Sequence, residues 1–546
     1  MKTKVIYILL FVGTSLFSSC GDWLDVSSST QVTAEDLFKN ESGFQDALTG
    51  VYLNMASTDL YAKNLSWHFV DILGQPFVPP NPGSKSDAYY IKGYGYTSAD
   101  VKSYINAIWK KSYNTIANIN NELKYADQNA DVLNPASRNL YKGELLALRA
   151  YLHLDLLRLF GYGNLSQRDD YATRLTIPYV TTYSKELTEQ RSYKETMVLL
   201  IKDIKDAIDY LSDDPIRNLH VDNPDYYKEI NADGFWNNRD KRLNYYAAKA
   251  LLARAYMWEG SEESLTAAFN IATELTAKEN EVYKWVKYSS ISSTDANSID
   301  RTFSTEHLFS LDTYDLISKV NPYIVDPGTS SGVNTNYILQ KGVEESIFDA
   351  KYYGSWGYYY APKNPNADTD GTINLNIPEG QDAIAGPGLN DYRYNLHYRI
   401  TSVGSDNVYY SVKLYQSEKP LPSFKNRIPL IKITEMYYIM AEYYLRHQDE
   451  VSALNVLNTV RSHRGLEVGI DETMMISVQS ELTKEYMKEF IGEGQLFYYL
   501  KRLNIQDPTY YGISGGYAGI SDYTFDDSKF LLPYPEEEIT NGNRVQ

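Results

Sequence analysis

The chain has 546 residues, of which 43% are hydrophobic and 22% charged, the balance of a folded globular protein, so disorder is excluded as a global description. Its 52 Lys and Arg against 70 Asp and Glu leave a formal charge of −18, which repels phosphates and anionic headgroups and argues against nucleic acid and polybasic membrane docking. A single cysteine excludes an internal disulfide framework and any multi-cysteine zinc or iron–sulfur site. The 51 Tyr against 17 Phe exceed what apolar volume requires. Because a buried phenol must satisfy its hydroxyl, many of these tyrosines are expected at a boundary with water or ligand.

Lys2 and Lys4 lead into an apolar run, Val5 to Phe17, followed by Ser18, Ser19 and Cys20. Charged, apolar and small residues in that order make a secretory signal, and the run is shorter than the roughly 20 residues of a membrane span. Leu16-Phe17-Ser18-Ser19-Cys20 is similar to a bacterial lipoprotein cleavage box, apart from Phe17, and cleavage there would leave Cys20 lipidated as the first mature residue. The alternative is a plain secreted protein with one leftover cysteine. Residues 1–19 are thus expected as the signal and 20–546 as a single domain.

From Ala34 the chain reads as amphipathic helices in pairs. Ser98 opens a helical period through Val101, Ile105, Ile108, Trp109, Ile116 and Ile119. Pro135 precedes a second helix that ends at Gly161. Its few polar residues, Arg149, His153 and Asp155, predict burial on most sides. Further helices are expected at about Tyr193–Leu211, Leu243–Trp258, Leu265–Ala277, Thr434–Arg446, Glu450–Arg464 and Val478–Leu503. The small residues Ala247, Ala248, Ala250, Ala253 and Ala255 mark a tight helix–helix contact, as in tetratricopeptide units, although the spacing is too irregular for an uninterrupted solenoid. The fold class is therefore mainly α: a tetratricopeptide-like helical-pair scaffold at about 34–278 and 430–505, with a large loop-rich, partly β insertion. The loop-rich stretches, about 61–97 and 279–429, are too long for simple connections and predict a functional face.

Catalytic patterns are weak. Gly512-Ile513-Ser514-Gly515-Gly516 matches the nucleophile-elbow spacing, but no histidine follows it and no apolar strand precedes it. The seven histidines form no metal-binding pair, and His447 and His463 are expected near helix ends. Asn366-Ala367-Asp368-Thr369-Asp370-Gly371 begins like a calcium loop, yet Ile377 stands where the bidentate glutamate belongs, so an Asx-rich turn is the better reading. No catalytic residue, metal site or cofactor is called for.

Aromatic clustering is the stronger signal. One stretch carries Trp67, Tyr89, Tyr90, Tyr94 and Tyr96; the other carries Trp285, Tyr288, Tyr352, Tyr353, Trp356, Tyr358, Tyr359 and Tyr360. Sugar rings pack their C–H faces on flat aromatic surfaces and need polar partners at the edge. Tyr and Trp supply both at low entropic cost, which also suits peptide backbones. From these stretches Trp67, Tyr89, Tyr90, Tyr94, Tyr96, Trp285, Tyr288, Trp356, Tyr358 and Tyr359 are the candidate ligand-binding residues.

Six blocks in order carry a resemblance. They are Cys20-Gly21-Asp22-Trp23-Leu24-Asp25; Gly143-Glu144 with Leu148 to Gly161; Ala247 to Tyr256; Glu435 to Glu442 with Ala453-Leu454-Asn455 and Val460 to Leu466; Glu493-Gly494 with Leu500-Lys501-Arg502; and Leu532 to Ile539. Together they resemble the SusD/RagB family of Bacteroidetes outer-membrane lipoproteins over nearly the whole chain. Lys432 and Thr434 depart from the family pattern, as does the end at Gln546. The resemblance implies a non-catalytic cell-surface protein on tetratricopeptide-like helical pairs, lipid-anchored to the outer membrane and facing the cell exterior. It would sit as a lid on a SusC-like TonB-dependent transporter and capture oligosaccharides, or peptides in one branch. Asp22 resembles the acidic tag that sends some such lipoproteins to the outer face. A surface glycan hydrolase is the third reading.

Overall fold

The computed structural model describes residues 33–74, 86–220, 230–292, 298–323, 391–403, 406–416, 424–466, 477–505 and 527–546. It also describes the strands at 358–362 and 381–385 and single positions at 223, 225, 227, 228 and 470. The helices used below are α1 (Glu41–Met55), α2 (Phe69–Leu73), α3 (Asp87–Lys92), α4 (Ala99–Gln128), α5 (Pro135–Phe160), α6 (Tyr193–Tyr210), α7 (Tyr245–Glu259) and α8 (Glu262–Thr276). After the insertion come α10 (Ile433–Arg446), α11 (Glu450–Ser462), α12 (Val478–Phe490) and α13 (Gln495–Leu503); α9 lies within it. Short helical turns are left unnumbered.

Local chemistry sets these boundaries. Ser98 accepts from the Val101 N–H to start α4, and Asn134 accepts from Ala136 N–H with Pro135 at the first position of α5. Ser192 and Glu195 form a reciprocal capping box on α6. Helix α5 is buried from Gly143 to Phe160. A Cβ at Gly143 would lie 2.5 Å from Leu211 Cγ, so only glycine lets α5 approach the end of α6. Arg149 is admitted to this core by a bidentate pair with Asp203, Nε–Oδ2 2.8 Å and Nη2–Oδ1 2.7 Å. Arg158 meets Asp155 one turn away. The alanine row of α7 is fully buried between its neighbours, as its small side chains require.

Helices α4 to α8 pack each against the next, and α8 packs directly on α10, which packs on α11. The helical array is therefore continuous in space although the chain leaves it between Thr276 and Ile433. Strands β1 (His307–Asp312) and β6 (Arg427–Lys432) pair antiparallel, from His307↔Lys432 to Asp312↔Arg427, and clamp the root of the excursion. Within it lie β2 (Tyr358–Pro362) paired with β3 (Gln381–Ala385), then α9 (Tyr392–His397), and β4 (Tyr398–Val403) paired with β5 (Asp406–Ser411).

One expectation is corrected. Val478–Leu503 is two helices, because Gly492 (φ 75°) and Gly494 (φ 69°) take the left-handed conformation that breaks the ladder. Asp71 of α2 accepts from both glycine N–H groups, at 2.9 and 3.3 Å, and locks this corner. Burial pushes the Asp71 carboxyl up to about 7 despite these donors. Among the described residues more tyrosines are half-buried or exposed than fully buried, in keeping with the expected boundary, and a buried minority takes a second role. Tyr61, Tyr141, Tyr151 and Tyr438 are among the largest fully buried side chains. Tyr61 donates to Asp155 at 2.6 Å, Tyr179 to Asp203 at 2.6 Å and Tyr52 to Glu144 at 2.7 Å. Phenols here satisfy buried carboxylates as well as filling volume, which Phe cannot do.

A buried charge network fastens the insertion to the scaffold. Glu489 of α12 accepts from Arg393 (3.1 Å), Arg464 (3.0 Å) and Lys432 (2.8 Å). Arg393 also meets Asp391 at 2.6 Å and Glu485 at 2.9 Å, while Arg464 meets Glu306 at 2.6 Å. Lys413 reaches Glu493 at 2.5 Å and the Glu489 carbonyl at 2.6 Å. Burial alone would raise the Glu489 carboxyl, but Arg464, Lys432 and Arg393 outweigh it and hold the group well below its usual value. Asp391, Arg393 and Lys413 belong to the insertion and the remainder to its root and the scaffold, so the insertion is held by charge as well as by packing.

Candidate functional site

Helix α3 forms the first ring-bearing face. Ser86 caps it by accepting from Tyr89 N–H, and Tyr89 and Tyr90 sit half-buried and edge-on with centroids 5.5 Å apart. Tyr90 lines an open depression of about 470 Å3 shared with Gly95, Thr97, Ser98, Ala99 and Asp100. Its volume falls within the range of small-molecule sites. One flat ring beside two hydroxyls and a carboxylate is the combination a sugar needs: a C–H-packing surface and edge partners.

Tyr94 and Tyr96 hold this loop in place. The buried Tyr94 hydroxyl donates to Leu73 O at 3.0 Å, and Tyr96 donates to Lys529 O at 2.5 Å. Behind α3, Tyr104 donates to Asp87 at 2.6 Å and His68 Nε2 lies 3.5 Å from the same carboxylate. These contacts hold the Asp87 carboxyl well below its usual range, while burial pushes His68 down, so His68 meets it as a neutral ring. The Lys63 ammonium lies 5.4 Å from the Tyr104 ring centroid and 4.9 Å from that of Tyr323.

Trp67 does not present a ring face to solvent. It is 2% exposed, its Nε1–H donates to Ala62 O at 2.8 Å, and its Cβ lies beside the Gly492 corner. The His68 ring lies 6.0 Å from its indole, and Tyr323 covers it at 5.3 Å. Trp285 is likewise buried, 7% exposed, stacked on His463 at 4.2 Å and close to Tyr283 and Tyr437. As expected, His463 is at a helix end, following α11, and His447 follows α10 and meets Glu262 at 2.8 Å. Both tryptophans are corrected to scaffold positions: an indole has more apolar surface to bury than a phenol and only one donor to satisfy. Tyr288, by contrast, is 62% exposed and pairs with the half-buried Tyr392 at 5.4 Å, a second open ring pair.

Cys20 and residues 1–19, Tyr352, Tyr353, Trp356, the Asn366–Gly371 turn and Gly512–Gly516 lie outside the described residues. Tyr358, Tyr359 and Tyr360 lie on β2, opposite Ala385, Ile384 and Ala383 of β3. Tyr104, Tyr323, Asp87 and Tyr392 are site neighbours that sequence reasoning missed. The helical period puts Tyr104 on the flank of α4 next to Val101 and Ile105, but only the packing of α3 shows which flank faces the loops.

A helical array with an insertion looped out over it, bearing tyrosine rings at its margin, defines a tetratricopeptide-like helical protein. The chain belongs to the SusD/RagB family. The sequence model of the SusD-like group described as "Starch-binding associating with outer membrane" matches residues 22–223, and that of the SusD family matches residues 320–545. A SusD superfamily protein from Bacteroides thetaiotaomicron is 19% identical with a TM-score of 0.62, covering 94% of this chain and 99% of that one. One from Bacteroides vulgatus is 17% identical with a TM-score of 0.65, covering 93% and 98%. Surface glycan-binding protein A from B. thetaiotaomicron, solved in complex with laminarihexaose, is 17% identical with a TM-score of 0.56, covering 93% and 99%. Similarity at this level speaks for the shared fold. No curated protein matches the chain.

Proposed function

We propose that the protein captures oligosaccharides at the cell surface, without altering them, and hands them to a SusC-like TonB-dependent transporter while anchored to the outer membrane through lipid on Cys20. The observation that carries this reading is the display of tyrosine rings in the two loop-rich stretches: Tyr90 in the depression it shares with Ser98 and Asp100, with Tyr89 edge-on beside it, and Tyr288 paired with Tyr392. Membership of the SusD/RagB family supports it, as does the fold shared with a protein solved in complex with laminarihexaose. Ring stacking offset by polar desolvation gives moderate affinity, which suits a protein that must release its cargo.

Calorimetric titration of the purified mature protein with a panel of oligosaccharides tests the reading. Saturable binding to at least one glycan, with no product released on prolonged incubation, is expected. Displacement by an oligopeptide pool with no response to any glycan would reassign the site to peptide capture. Glycan turnover by the purified protein would reassign it to hydrolysis.

A further inference from the structure

The turn that closes α3 is strained at one residue. Tyr94 has a φ of 52°, in the left-handed region, where a bulky side chain is an outlier. Among the described residues other than glycine with positive φ, only Tyr94 and Phe303 are aromatic; all but one of the rest are Asn or Asp, the types that tolerate that region best. The hydrogen bonds identify the motif. Gly95 N–H donates to Tyr90 O at 2.8 Å and Tyr94 N–H to Ile91 O at 3.0 Å, the paired bonds of a Schellman turn, in which glycine ordinarily takes the left-handed place. Here Gly93 and Gly95 stand on either side, and the strained place itself holds a tyrosine.

Backbone strain persists only where the surroundings over-determine it, and it gathers at ligand clamps. Tyr94 is 9% exposed, and its hydroxyl donates to the carbonyl of Leu73, the last residue of α2, at 3.0 Å. That anchor is fixed in turn. Asp71, on the same short helix, accepts from Gly492 and Gly494 N–H, and a Cβ at Gly74 would lie 3.3 Å from Phe497 N of α13, so α2 sits close against that corner. What the turn sets in place is the depression. Its closing bond joins Tyr90 to Gly95, which both line that volume, and Ser98 N–H donates to Gly95 O at 2.9 Å to bring round the next wall. A Cβ at Gly95 would stand 3.1 Å from Tyr90 O and 3.5 Å from Tyr90 Cβ, so wall and ring are closely spaced.

We propose that Tyr94 is a positioning residue for the ligand: its buried ring and anchored hydroxyl hold a backbone conformation that would otherwise relax, and so keep Tyr90 set against Gly95 and Ser98 before any sugar arrives. The inference rests on the glycan-capture reading above. A site formed only part of the time binds more weakly by that fraction, so holding it formed raises affinity without adding a contact.

Tyr94→Phe keeps the ring and removes the hydroxyl. Calorimetric titration with the oligosaccharide that the wild-type protein binds best should give an affinity about threefold to tenfold lower. Amide hydrogen exchange, read by mass spectrometry over a peptide spanning Gly95, should be faster in the free variant and slow again once the sugar is bound, while melting stays within about 2 °C of wild type. A merely structural tyrosine would lower melting and leave both affinity and this ligand-dependent protection unchanged. Gly95→Ala presses on Tyr90 from the other side; it should also weaken binding, and it serves should Tyr94→Phe not fold. Wild-type affinity in both variants, or weaker binding with unaltered exchange at Gly95, overturns the proposal and leaves glycan capture standing. A wild-type protein that binds no oligosaccharide overturns both.

Discussion

Glu489→Gln tests whether charge holds the insertion on the scaffold. The substitution preserves shape but removes the negative charge that faces Arg393, Arg464 and Lys432, none more than 1% exposed. Each cation keeps a second carboxylate: Asp391 for Arg393, Glu306 for Arg464 and Glu493 for Lys432. The loss is therefore that of one broken buried pair, about 3–5 kcal/mol, not three. At ~2.1 cal/mol/K per residue of unfolding entropy, a chain of this length has an entropy of roughly 1.1 kcal/mol/K, so the melting temperature falls by about 3–4 °C if the chain unfolds as a unit. Differential scanning fluorimetry, with urea midpoints as a second readout, measures it. The control is Glu262→Gln at the exposed His447 contact, expected to move melting by less than about 0.5 °C. A Glu489→Gln protein that melts within 1 °C of wild type, or no lower than the control, would refute the reasoning.

Acid should unfold the protein through its buried histidines. His153 is a satisfied neutral ring: Nδ1 faces the Arg149 carbonyl at 2.9 Å and Nε2 accepts from Val180 N–H at 3.0 Å, so a second proton has no place. Burial pushes His153 and His307 down to about 3, so the stability they confer is full above about pH 6.5 and is lost as pH falls toward 3. Asp71, pushed up to about 7, contributes the opposite slope, losing stability as pH rises from about 4 to 7. The two histidines outweigh it: denaturant midpoints should drop between pH 6.5 and 4, and His153→Gln should reduce that slope by about one proton. A flat profile would count against this assignment. Trp67→Ala should cost about 3–5 kcal/mol of stability as a core truncation, read by urea unfolding. Tyr90→Ala should leave melting within about 1 °C while weakening oligosaccharide binding about fivefold to tenfold in the same titration as wild type.

The helices were legible because their signals are local. Ser98 caps where it was expected to, Pro135 stands at the start of α5, and the alanine row of α7 announces its own tight contact. The break at Gly492 was hidden: the glycines that make it are locked by Asp71, more than four hundred residues away, whose carboxylate receives the freed N–H groups. Likewise Trp67 and Tyr90 look alike in a loop-rich, aromatic stretch. Only the tertiary packing around Ala62 and Tyr323 decides that one ring is consumed by the core while the other lines a depression. Part of the tyrosine count has a use that stays hidden for a related reason. Hydroxyls of Tyr61 and Tyr179 find buried carboxylates on helices distant in sequence, a use that composition cannot distinguish from a surface role.

A crystal structure of the mature protein with the tightest-binding oligosaccharide of the panel is the most direct measurement. A sugar ring lying flat on Tyr90 or Tyr288 at about 4 Å, its hydroxyls reaching neighbouring polar groups and its linkages intact, is the result expected. Oligosaccharide bound only at surfaces remote from both tyrosine pairs would contradict the account.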